Sequence, residues 1–138
     1  MSEYKIINII IPEVLPAIAL KNTVLFPKVV IPLIVQRPKS VTALDYALSK
    51  DKLVLFITQK NIEDDVGPKD LFGIGTIGRI ISVFKLPDGS YKIDVEGLVR
   101  ARIDSYVEEL PFFKVKVAPY PLMIRSGLEE KAFLRRAI

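Results

Sequence analysis

Gly73, Gly75 and Gly78 fall at the spacing G-x-G-x-x-G, and Glu96 follows about twenty residues later, where a dinucleotide-binding turn keeps its ribose-binding acid. Such a turn needs a long helix opening at its third glycine, so that helix N–H groups meet the pyrophosphate. Here Arg79 to Leu86 is strand-like and runs straight into the turn Pro87-Asp88-Gly89. The glycines read instead as relief in a tightly bent strand. Glu63, Asp64 and Asp65 could form a carboxylate cluster for a hard cation, but the alternating oxygen ligands and central glycine of a calcium loop are missing. A solvated loop tip is expected there. None of the seven serines lies in a G-x-S-x-G elbow, and with no histidine and no cysteine the chain cannot build a Ser-His-Asp or Cys-His nucleophile, a Cys/His zinc site, a disulfide or a redox switch. No catalytic residue, metal ligand or cofactor-binding residue is therefore assigned.

Tyr91, Tyr106, Phe112 and Phe113 lie among Lys92, Arg100, Arg102, Lys114 and Lys116, the residue types of a stacking and phosphate platform for RNA. Tyr91 and Phe113 share the apolar faces of their strands and read as core. Phe112 falls on the same side as Lys114 and Lys116. The charge balance, 20 Lys+Arg against 16 Asp+Glu for a net +4, contains no polybasic run, so a nucleic-acid partner is not expected. More informative are Leu25, Phe26, Val29, Val30, Ile31, Leu33 and Ile34, which cannot all point into a small core. An exposed apolar patch near Pro27 is expected, and such patches mark protein-binding sites.

The elements that must position these residues follow from pattern. At 138 residues, half of them hydrophobic, the chain has the size of one packed domain. Val24 to Val35 reads as an irregular strand pair, confined by Pro27 and Pro32 to edges or bends. Val41, Leu44, Ala47 and Leu48, at spacings of three and four, predict a helix from Pro38 to Ser49. Lys52 to Gln59 is an apolar run of strand length, and Asn61 to Asp70 an acidic loop. Ile74 to Leu86 and Ser90 to Glu96 form a hairpin about Pro87-Asp88-Gly89. Tyr91, Ile93 and Val95 alternate with Lys92, Asp94 and Glu96, as in a strand with one buried face. Leu98 to Val107 and Phe112 to Ala118 repeat that pattern. The result is mainly β with one or two helices, a closed or half-closed antiparallel barrel.

Ser126-Gly127-Leu128-Glu129 fits a capping box, so a helix starts there. Its apolar Phe133 and Leu134 want a packing partner; the chain reads as the front piece of a longer polypeptide, unless this helix folds back on the barrel. Residues 1–120 are thus expected to form the barrel and 121–138 the start of a helical region. Pro12, Glu13 and Pro16 break any secretory leader, and Val24 to Val35 is too short and broken to span a bilayer, so a cytoplasmic protein without membrane contact is expected.

Pro16 to Pro27 (PAIALKNTVLFP) with Ile31-Pro32-Leu33 resembles the opening signature of the N-terminal, substrate-recognition domain of ATP-dependent Lon proteases. Three further stretches match in order: Lys39-Ser40 with Ala43-Leu44, Gly75-Thr76 with Arg79-Ile80, and Leu86-Pro87-Asp88-Gly89 running on to Val95 through Ile103. The family often has Asp where Asn22 stands and Gly where Lys28 stands. The resemblance implies a PUA-like β-barrel followed by helices. It also implies that this segment is not itself an enzyme, the ATPase with its ATP and Mg²⁺ and the Ser-Lys endopeptidase lying further along a hexameric parent. Its partners would be unfolded or tagged proteins, held through Phe26, Pro27, Val29, Leu86 and Phe112. A stand-alone adaptor of the same domain family and a PUA-like nucleic-acid-binding module are the alternatives.

Overall fold

The computed structural model describes residues 3–6 and 9–120. Strands β1 (Glu3–Ile6) and β2 (Ile9–Pro12) form a separate antiparallel hairpin. There follow β3 (Val14–Leu20), β4 (Val30–Val35), helix α1 (Pro38–Leu48), β5 (Leu53–Thr58), a short 3-10 turn at Pro68–Asp70, β6 (Ile74–Lys85), β7 (Tyr91–Glu108) and β8 (Phe113–Tyr120). These six strands run in the order β4-β7-β6-β5-β3-β8, and β8 pairs again with β7. Five strands thereby close into a ring, with β4 attached outside it. The 18-residue β7 makes this possible, because its first half pairs with β4 (Val35 opposite Tyr91, Val30 opposite Glu96) and its second half with β8 (Arg100 opposite Tyr120, Glu108 opposite Lys114).

All pairs but one are antiparallel, as expected. β3 and β5 run parallel, Ala17 opposite Leu55 and Leu20 opposite Thr58. Parallel neighbours need a crossover, and the segment carrying β4 and α1 supplies it. The sheet is consequently buried on both faces at this place. Leu15, Ala17 and Ala19 of β3 and Leu53, Leu55 and Ile57 of β5 line the ring, while Ile18, Leu20, Val54 and Phe56 face α1 and β4. That double burial is why Leu53 to Ile57 is apolar at every position rather than at alternate ones.

Helix α1 occupies the predicted span to within a residue. Pro38 begins it with a preset φ, and Ser40, Ala43, Leu44 and Ala47 form its buried face at spacings of three and four. Full burial of Leu44 contributes about 2 kcal/mol. At the hairpin turn Gly89 has φ +92°, and the Asp88 carboxylate accepts from the Ser90 hydroxyl at 2.6 Å and its N–H at 3.0 Å. The Ser90 bonds hold the Asp88 carboxyl below its ordinary range.

Two expectations change. Val24 to Val35 is not a strand pair: only β4 is strand, and the segment before it is irregular, with Asn22 (φ 52°) and Lys28 (φ 69°) in the left-handed region. These are the positions where the family resemblance pairs Asp and Gly with this chain's residues, and that region is where Asn and Gly carry the smallest steric penalty. The second change is that Tyr91 to Glu108 is one continuous strand, its register shifts absorbed by bulges near Gly78, Ile80, Ile103 and Tyr106. The helical start expected at Ser126 lies outside the described residues.

Candidate functional site

The apolar patch expected near Pro27 is built by backbone contacts. Leu25 is the anchor, 2% exposed and packed in the core between α1 and the sheet. Its carbonyl accepts from the Thr76 hydroxyl at 2.6 Å, and that of Thr23 from the Thr58 hydroxyl at 2.7 Å. Further on, Lys28 N–H donates to Gly97 O at 2.8 Å and Gly97 N–H to Val29 O at 2.9 Å. Gly97 is required here, since a Cβ at that position would overlap the Phe26 carbonyl and crowd Cα of Pro27. With its backbone pinned in this way, Phe26 turns its ring outward, 50% exposed, with the Arg100 guanidinium 5.5 Å from the ring centroid.

β4 prolongs the patch. Val30, Pro32 and Ile34 are exposed while Ile31, Leu33 and Val35 turn inward. Pro32 stands opposite Asp94 and has no N–H, so that pair cannot exchange hydrogen bonds and the ladder bonds fall to its neighbours. The backbone groups of Val30, Pro32 and Ile34 then face the side of β4 that has no strand neighbour among the described residues, and the missing N–H blunts that edge. On the same outward face, the charged row of β7 is paired toward β6: Glu96 with Arg79 at 2.7 Å and Asp94 with the Ser82 hydroxyl at 2.7 Å. An apolar stripe from Val24 to Ile34 is thus bordered by satisfied polar groups.

The five residues named from sequence fall in three places. Phe26 and Val29 are exposed on this stripe and Pro27 is half-buried within it. Leu86 is half-buried beside the hairpin turn, its N–H bonded to Ser90 O at 2.8 Å. It sits at the Tyr91 end of the β4–β7 ladder, about 20 Å from the Gly97 end by strand rise. Phe112 is 6% exposed, its ring 5.2 Å from that of Tyr46 on α1, so it belongs to the core and not to a contact surface. Its alternation with Lys114 and Lys116 is misleading because Phe112 precedes the first strand residue, Phe113, and strand periodicity does not reach it. Val30 and Ile34, missing from the five, were findable from the alternation within β4.

The other sequence motifs have structural uses. Gly75 and Gly78 lie within β6, which continues to Lys85 with no helix following; a Cβ at Gly78 would come within 2.6 Å of Val95 and 2.9 Å of Leu25. The acidic loop is tied down by side chains. Asp64 pairs with Lys21, an interaction that holds its carboxyl low, and the backbone carbonyl of Asp64 accepts from Arg37 at 3.3 Å. Arg37 also donates to Gln59 Oε1 at 2.5 Å and Ala19 O at 2.6 Å, and burial lowers its pKa. Among the described residues no group of three His, Cys, Asp or Glu could hold a metal ion.

A sequence model of the ATP-dependent protease La (LON) substrate-binding domain matches residues 14–135. A Lon protease of Endomicrobium trichonymphae is 45% identical over 130 residues and one of Dictyoglomus thermophilum 38% identical over 128, each match covering 93% of this chain and 16% of the relative. The chain therefore spans about a sixth of the length of these relatives. Among solved structures, the N-terminal domain of a Mycobacterium avium complex Lon protease superimposes with a TM-score of 0.62 at 22% identity, covering 89% of this chain and 62% of that one. A Lon N-terminal domain protein from Xanthomonas campestris gives 0.61 at 18% identity, covering 88% and 68%.

Proposed function

Because this chain belongs to the Lon substrate-binding domain family, we propose that it captures exposed hydrophobic segments of unfolded or tagged proteins on the stripe formed by Phe26, Val29, Val30 and Ile34, within a cytoplasmic ATP-dependent protease. The observation that carries this reading is the way the stripe is held: hydrogen bonds to Leu25 O, Gly97 O and Val29 O fix the backbone and leave the apolar side chains free. A surface fixed before binding loses little entropy on contact, and an apolar one accepts many sequences. Each contact is weak, since one stripe offers little area. In a hexameric parent, six copies would supply avidity, and the captured segment would pass to the ATPase and Ser-Lys protease that the resemblance implies further along the chain. The segment itself binds and does no chemistry. Pro27 completes the stripe, Leu86 makes at most a separate contact at the hairpin, and Phe112 is left out.

Titration of the isotope-labelled chain with a reduced and alkylated, permanently unfolded polypeptide tests the assignment. Amides of residues 24–34 should shift, and Phe26→Ser with Val29→Ser should weaken binding roughly tenfold, from the apolar area removed. Affinity should persist or rise with added salt, because apolar contact is not screened. Shifts confined to another face would overturn the site, and a steep loss of affinity with salt would favour a nucleic-acid-like electrostatic surface.

A further inference from the structure

Strand β4 has an open edge with a definite pattern of free backbone groups. Gly97 N–H donates to Val29 O at 2.9 Å, which sets the ladder so that Ile31 and Leu33 bond to β7. The N–H and C=O groups of Val30 and Ile34, and the lone C=O of Pro32, then point away from β7, where β4 has no strand neighbour among the described residues. Strand β3 is open as well. β8 covers it only as far as Ala17, opposite Phe113, so its last residues have β5 on one side and no described strand on the other. Leu20 O accepts from Gln59 N–H, just past the end of β5. Alternation therefore turns the Ala19 carbonyl to the open side, where Arg37 Nη2 donates to it at 2.6 Å.

Between the two edges lies a hollow of about 340 Å³, lined by Ile18 through Lys21 and by Pro32 through Arg37. A hollow on one face of a strand meets alternate residues, whereas one that meets consecutive residues lies along its edge. The charges around this one are already matched. Lys21 pairs with Asp64, and Arg37 donates to Gln59 and Ala19. What the β4 side offers is a neutral peptide backbone, beside half-buried Leu33 and exposed Ile34.

Building on the reading of the Phe26 stripe as a capture surface, we infer that β4 takes the captured segment as an added strand. The segment lies extended along the open edge, and its backbone exchanges hydrogen bonds with Val30 and Ile34. The free groups set the occupant's chemistry: a donor and an acceptor at each of these two residues match the repeat of an extended polypeptide and do not read its side chains. The side chains of Val30, Pro32 and Ile34 belong to the stripe, so backbone bonds and apolar contact act on one segment. Pro32 sets the limit. With no N–H at the centre, the edge bonds at two residues without forming an unbroken ladder, which suits a segment that must later be released.

The test uses the whole 138-residue chain, followed by NMR, and a short N-acetylated peptide of alternating valine and threonine with a lysine at each end. A second probe is the same peptide N-methylated at every valine and threonine amide, which keeps the side chains and removes the backbone donors. Hydrogen exchange of the Val30 and Ile34 amides should be fast in the free chain and slow about tenfold with the first peptide, and the methylated peptide should bind about tenfold more weakly. Pro32→Ala separates the modes of contact by sign. It restores a donor to the edge and removes apolar area, so strand addition requires tighter binding, and weaker binding overturns it. Equal affinity of the two peptides, with residues 24–34 still shifted, overturns strand addition and leaves the stripe standing. Shifts confined to another face overturn the stripe and the added strand together. Val30 and Ile34 amides protected before any peptide is added overturn the peptide as occupant, in favour of a second copy where protection rises with concentration. The peptide comparison needs no variant, so it survives a misfolded mutant.

Discussion

Two irregular segments flank the paired strands β3 and β5, and they are held in opposite ways. Residues 23–29 are pinned by backbone atoms and by one buried side chain, Leu25, while Val24, Phe26 and Val29 remain exposed. In the acidic loop 61–70 the side chains do the holding. Gln59 donates to Asn61 O at 3.3 Å and Glu63 O at 2.9 Å, Asn61 donates to Asp70 at 3.1 Å, and Asp70 accepts from Gly67 N–H at 2.9 Å. The contrast separates structure from availability. Side chains that tie a loop down have their partners already, whereas a loop tied by its backbone keeps its side chains for another molecule.

Leu25→Ala should cut this comparison most deeply, removing the only apolar anchor of the first segment. A loss of about 3 kcal/mol is expected in urea unfolding followed by circular dichroism, from burial and cavity terms together. A loss below about 1 kcal/mol would mean that the backbone bonds suffice alone. Gln59→Ala attacks the second segment, since the buried amide bridges Arg37 to the carbonyls of Asn61 and Glu63. About 2 kcal/mol should go, and amide exchange should quicken in residues 61–70 while residues 23–29 stay protected. Equal quickening in the two segments would break the distinction.

The smallest effect is with pH. Hydrogen bonding and charge from Lys21 depress Asp64, and the Gly67 N–H depresses Asp70. Groups with folded pKa values below their unfolded ones contribute stability that is fully present above about pH 4 and is lost as pH falls through the depressed values. Acid should therefore loosen residues 61–70 before residues 23–29, which contain no carboxylate, and exchange rates measured between pH 5 and pH 3 would show the order.

What could be read from sequence depended on whether a residue answered to its neighbours or to distant chain. Helix α1 and the turn at Asp88 were legible because spacing and turn chemistry are local. The parallel pairing of β3 with β5 was not, since strands buried on two faces are apolar throughout and lose the alternation that would mark an outer side. Nor was the irregular course of residues 23–29. Their β-branched and aromatic content favours strand, and what overrides it is Gly97, seventy residues from Pro27, which admits the Phe26 carbonyl. The candidate stripe was legible at Phe26 and Val29, by counting apolar residues against the room inside. Phe112 was misplaced because strand alternation was extended one residue past the strand.

Ring closure by β8 imposes an order on how the molecule can be made. β8 pairs with β3, Val14 opposite Lys116, and with the far half of β7, Arg100 opposite Tyr120. Until Phe113 and the residues after it have emerged from the ribosome, β3 and β7 each keep an open edge, and about a hundred residues of chain separate β3 from the strand that covers it. The pairing of β8 with β7 is local, and its pairing with β3 costs a long loop closure. A domain proposed to capture unfolded proteins must thus itself pass through a stage in which its own strand edges are open.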